Sequence, residues 1–148
     1  YQLRGAFDLP KTMKSIYLQG GSSEFRTQLQ AALHSSKGQL VDSPEKADVV
    51  LVVLRDNIER RGVSLSERGR SNQIELAQRI DYELRDSKNK GKLLVASEPI
   101  NIRREYFNDQ QDVIAKDNEE TTIRSEMYQQ AIKTIISSGR NALENKAK

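Results

Sequence analysis

The chain has 148 residues, 30% of them charged and 36% hydrophobic, with a formal net charge of +3. That length fits one domain with a real core, and so slight a positive excess argues against a general nucleic-acid binder. With no cysteine there are no disulfides, no thiol nucleophile and no zinc cage. No apolar run is long enough for a helical membrane span, and with no Trp, three Phe and five Tyr the core must be mostly aliphatic.

In chain order, the alternating Tyr1-Gln2-Leu3-Arg4-Gly5 predicts an edge strand before Pro10, and Ser15 to Leu18 predicts a second strand ended by Gly20-Gly21. Residues 1–21 therefore read as N-terminal strands. A helix follows over 22–37, capped by Ser22 or Ser23, with Phe25, Leu29, Ala32 and Leu33 on one face and Gly38 as its stop. His34, the only histidine, falls near that helix's end, where a solvated role is expected. Leu40-Val41 is a short apolar pair before the turn Asp42-Ser43-Pro44.

Residues 47–108 read as long strands. Val49 to Leu54 is an unbroken apolar run, as expected of a central strand, and continues with weaker alternation to Arg61. Ile74, Leu76, Ile80, Tyr82 and Leu84 occupy even positions between polar odd ones, which predicts a half-buried antiparallel strand. After a turn at Asp86 to Gly91, residues 92–107 return as a third long strand, with a bulge or an edge position expected near Pro99. The last helix is placed at 117–138, with Asp117 and Glu120 as a capping box. Its apolar stripe is Ile123, Met127, Ala131 and Ile135, widened by Tyr128, Ile132 and Ile136, and Gly139 is its stop before a tail over 139–148. Lys116 then stands just outside the positive end of the helix dipole. Such a helix would span about 30 Å against roughly 50 Å for the strands, leaving part of the sheet as a polar ribbon. Strands, two helices and more strands in this order give the fold class α+β, a two-layer sandwich.

The sequence holds no Gly-rich phosphate loop, no metal-ligand spacing and no nucleophile elbow, so neither an enzyme nor a cofactor is expected. Glu119-Glu120 reads as the acids of a helix's first turn, and Arg103-Arg104 with Asp109 as surface pairing. Two basic clusters stand out: Arg55, Arg60, Arg61, Arg68 and Arg70 around Gly62 to Gly69, and Lys88, Lys90 and Lys92 at the next turn. Each reads either as a solvated face or as an anion site, since guanidiniums grip phosphates bidentately.

Four stretches resemble the LptE family of lipopolysaccharide-assembly lipoproteins. They are Tyr1-Gln2-Leu3-Arg4-Gly5; Leu9-Pro10 with Met13-Lys14 and the strand to Leu18; Phe25 to Asp42; and above all Ala115-Lys116-Asp117-Asn118-Glu119 with Ile123, Glu126-Met127-Tyr128 and Ala131. The resemblance runs nearly end to end, with the middle strands matching in pattern more than identity. It implies two helices packed on one face of a four-stranded mixed sheet with long hairpin strands. It also implies a periplasm-facing lipoprotein of the outer membrane that plugs the LptD barrel one to one, assists its assembly, binds lipopolysaccharide and helps insert it into the outer leaflet. The family's lipid-bearing cysteine is absent and is expected just before Tyr1; an anchor held there leaves a polar domain. The wet lumen of a large barrel suits a plug with so charged a surface. By the same resemblance Lys116 is a lipopolysaccharide contact, and Arg68 and Arg70, flanking Gly69, are candidates for a second basic site converging with it. The alternative is a purely structural barrel-assembly partner that does not bind lipopolysaccharide. A nucleic-acid module is disfavoured by the lack of aromatics for base stacking.

Overall fold

The computed structural model describes residues 13–62, 72–87, 91–108 and 113–147. The expected strand at Tyr1 to Gly5 lies outside these. Among the described residues five strands and two helices follow in the order β1 (Ser15–Gly20), α1 (Ser23–Ser35), β2 (Gln39–Val41), β3 (Val49–Gly62), β4 (Asn72–Asp86), β5 (Lys92–Asn108) and α2 (Val113–Ala147), with a 3-10 turn at Pro44–Lys46. The sheet order is β2-β1-β3-β4-β5. β1 pairs in parallel with both β2 and β3, whereas β3, β4 and β5 form an antiparallel meander. The architecture is the expected α+β sandwich on a mixed sheet, but with five strands rather than four: the apolar pair Leu40-Val41 sits in β2, a three-residue edge beside β1.

The core lies on one face of the sheet. Ile16 and Leu18 from β1, Val49, Leu51 and Val53 from β3, and Ile74, Leu76, Ile80, Tyr82 and Leu84 from β4 are all buried there. Against them α1 packs Phe25, Leu29 and Leu33, and α2 packs Met127, Tyr128, Ala131, Ile132, Ile135 and Ile136. Each such aliphatic side chain contributes about 1.5–3 kcal/mol by leaving water. The Phe25 and Tyr128 rings meet edge to face, 6.2 Å apart between centroids and 81° between planes, joining the two helices. Among the described residues neither helix covers the other sheet face, which carries several ion pairs. On it Arg61 pairs with Glu75, Arg79 with Asp81 and Arg85 with Glu83.

Two irregularities re-aim side chains. Val53 pairs with Tyr82 but Arg55 pairs with Asp81, so Leu54 is an extra residue in β3 and is 55% exposed. Before this bulge the odd residues of β3 face the helices; after it, the even ones, Asp56, Ile58 and Arg60, do so. β5 is an edge strand, and its register shifts twice between Glu98 and Leu93, next to Pro99 where irregularity was expected.

The helix ends differ from expectation. Ser22 caps α1, its hydroxyl accepting from the Phe25 N–H at 3.1 Å. At the other end Lys37, not Gly38, takes the left-handed position, with φ of 63°. Gly38 N–H reaches back to the Leu33 carbonyl and Lys37 N–H to that of His34, the pattern of a Schellman motif. Helix α2 begins at Val113, so Asp117 is not its cap, and Lys116 lies inside the helix instead of preceding it. Nor does Gly139 end it: α2 runs on to Ala147, and its 35 residues span about 50 Å, comparable with the long strands. Gly139 is there for closeness. A Cβ at that position would lie 2.6 Å from Met13 Cε and 2.9 Å from Leu84 Cδ1.

Candidate functional site

Arg68 and Arg70 lie in sequence between Gly62, where β3 ends, and Asn72, where β4 begins. Gly62 pairs with Ile74, and Asn72 pairs with Asn108, the last residue of β5. Helix α2 starts five residues after Asn108. Its first turn, which contains Lys116, therefore belongs to the same end of the sandwich as Gly62 and Asn72. Arg68 and Arg70 themselves, and the side chain of Lys116, lie outside the described residues.

The described residue nearest in sequence to Lys116 that fixes this end is Glu120, one helical turn later. Its Oε1 accepts from Arg60 Nε at 2.8 Å and from the Tyr106 hydroxyl, and its Oε2 accepts from Arg124 Nε at 3.0 Å. One carboxylate thus gathers β3, β5 and α2. Burial alone would raise the Glu120 pKa, but hydrogen bonds from Tyr106, Arg60 and Arg124 outweigh it and hold the carboxyl below its ordinary value. The bond to Glu120 lifts Arg60 above its own ordinary value. Burial, with the bond to Glu120, raises that of Tyr106 and keeps its hydroxyl protonated. Arg60 and Arg124 remain 48% and 35% exposed, while Glu120 is 22% exposed.

Sequence reasoning placed Glu120 in a capping box and missed this cluster. The spacing of Glu120 and Arg124, four apart on a helix, was a usable signal. The aim of Arg60 was not legible, because it depends on the bulge at Leu54. A second polar cluster holds the middle of the sandwich. Asp56 accepts from the backbone N–H of Ser22 at 3.1 Å, from its hydroxyl at 2.6 Å and from the Tyr128 hydroxyl at 3.1 Å. Burial raises the Tyr128 pKa, so that hydroxyl stays a donor. This cluster ties the start of α1 to β3 and α2, which is a structural task.

The uncovered face carries a cleft of about 570 Å3 floored by Val50 and Val52 and edged by Gln19, Glu83 and Arg85. The Arg85 guanidinium is already engaged by Glu83 at 2.9 Å and by the Gly91 carbonyl at 3.2 Å. Among the described residues no group of three or more acidic or histidine side chains could hold a metal ion, and no helix is long and apolar enough to cross a membrane.

A family model described as "LptE: Lipopolysaccharide-assembly" matches residues 13–138. Among solved structures, lipoprotein B from Nitrosomonas europaea superposes with a TM-score of 0.72 at 23% identity, covering 99% of this chain and 93% of that one. The rare lipoprotein B from Shewanella oneidensis gives 0.70 at 24% identity, over 90% of this chain and 99% of that one. A minor lipoprotein from Acinetobacter baumannii gives 0.65 at 19%, over 89% and 96%. At these identities the structural likeness speaks for the fold. No curated protein matches in sequence.

Proposed function

The chain belongs to the LptE family of lipopolysaccharide-assembly proteins, and we propose that it binds lipopolysaccharide and serves as plug and assembly partner of the LptD outer-membrane barrel. The match over residues 13–138 carries this reading. On it, the chain works as a lipoprotein at the periplasmic side of the outer membrane; three of its structural neighbours are named lipoproteins. It has no enzymatic role.

Lys116 is the leading contact, with Arg68 and Arg70 as its partners. The shared end of the β3–β4 connection and the first turn of α2 supports their convergence on lipid phosphates, which ammonium and guanidinium groups bind as point charges and forks respectively. The polar, self-paired sheet face supports the plug role, because a barrel lumen is wet. The same self-pairing favours a second reading, a structural partner of the barrel that leaves lipopolysaccharide alone.

Binding of purified lipopolysaccharide to the native chain and to Lys116→Glu, at low and high salt, separates the two. The first reading expects binding that weakens with salt and falls about tenfold or more in the variant, as for a charge-assisted contact. Equal binding by a folded Lys116→Glu overturns the role of Lys116. No binding by the native chain leaves the structural reading.

A further inference from the structure

The cluster around Glu120 holds more cation than a structural latch needs. One arginine would pin α2 to the sheet, yet two guanidiniums from different elements converge on one carboxylate, leaving an excess of one positive charge. Both are about half or a third exposed. Arg124 stands about two turns along α2 from Lys116, and Arg60 lies two residues before Gly62, where β3 ends. We propose that Arg60 and Arg124 form a phosphate subsite whose resting occupant is the Glu120 carboxylate, an internal anion that an incoming phosphate monoester displaces.

The chemistry sets the selectivity. A carboxylate ligand offers the arginines nothing that Glu120 does not already supply. A phosphate dianion brings twice the charge and three acceptor oxygens, enough to engage both forks. When Glu120 swings out, the Tyr106 hydroxyl, kept protonated, can donate to the phosphate in its place. Glu120 thus acts as a threshold against weaker anions. The subsite rests on the lipopolysaccharide reading above only for the source of the phosphate, either a glycolipid headgroup or the free ion.

The side-chain Nε–Hε resonances of Arg60 and Arg124 in the isotope-labelled chain report on it directly. The probes are inorganic phosphate at slightly alkaline pH, acetate at equal ionic strength, and purified lipopolysaccharide with and without its phosphates. Phosphate is expected to shift both resonances and acetate neither. In Glu120→Gln the half-saturating phosphate concentration should fall about fivefold, the worth of one partly exposed charge. A latch with no ligand predicts no gain, so a folded Glu120→Gln that binds phosphate no better than the native chain overturns the proposal, as do resonances that ignore phosphate. If Glu120→Gln does not fold, Arg124→Gln decides: binding about fivefold weaker supports the subsite, and unchanged binding overturns it. Lipopolysaccharide that binds without moving either arginine removes the subsite and leaves the proposed function standing. Phosphate that moves them while lipopolysaccharide does not bind keeps the subsite, makes the free ion its ligand, and removes the proposed function.

Discussion

Gln78 faces the helices between Ile58 and Ile102, is 2% exposed, and among the described residues has no hydrogen-bond partner for either Nε2 or Oε1. An amide desolvated without compensation opposes folding. Gln78→Leu keeps the side chain's size and removes the two polar atoms, so urea unfolding should show a gain of about 1–2 kcal/mol. In the sequence Gln78 only interrupted an apolar alternation. Nothing local says whether such a residue finds a partner across the core, because the partner would come from α2. Tyr128 is the opposite case. Its hydroxyl meets Asp56 at 3.1 Å and Ser22 at 3.2 Å. Tyr128→Phe removes that donor but leaves Asp56 bonded to Ser22, so the cost in the same measurement should be about 1 kcal/mol.

The elements were legible where one periodicity governed the whole of them. Strand β4 keeps its even residues inward from Ile74 to Leu84, as its alternation required. The α2 stripe from Met127 to Ile136 is buried as read. The ends were harder, because glycine and lysine were judged by their usual habits. Gly38 was expected to stop α1, yet Lys37 takes the left-handed turn. A Cβ in that conformation is strained by about 1–2 kcal/mol, partly offset by glycine's freedom in the unfolded chain. Lys37→Gly should therefore raise the thermal midpoint, by a gain of about 0.5–1 kcal/mol. Gly139 was expected to end α2, but its neighbours Met13 and Leu84 come from distant parts of the chain, and only the fold reveals that they touch it. Gly139→Ala helps the helix intrinsically and crowds both neighbours. Met13 can yield, being flexible, while Leu84 sits fully buried in β4. The net result should be a loss of about 1–3 kcal/mol in urea unfolding.

At the scale of the molecule, the two layers meet differently along their length. The middle is apolar and anchored by Asp56, whereas the end near the β3–β4 connection is held by one charged cluster. Beyond the spacing of Glu120 and Arg124, that cluster was illegible in sequence because two facts of the sheet assemble it: the phase change at Leu54, and the reach of Tyr106 from the edge strand. The Ala-Lys-Asp-Asn-Glu stretch, by contrast, drew attention to the start of α2 through resemblance alone. Because Glu120 is held below its ordinary pKa in the folded state, the unfolded chain takes up its proton first as pH falls. Its contribution is complete above the ordinary glutamate range and is lost as pH drops through the folded value. Stability of the native chain should thus decline from neutral pH towards about pH 3, with part of the decline due to Glu120. In Glu120→Gln that part is absent: the variant should start less stable at neutral pH, and its unfolding midpoint should fall less steeply with acid. Hydrogen exchange should localise the difference to the early turns of α2, since only that end depends on the carboxylate. Parallel pH profiles for the two chains would mean that Arg60, Tyr106 and Arg124 hold the helix equally well around a neutral amide.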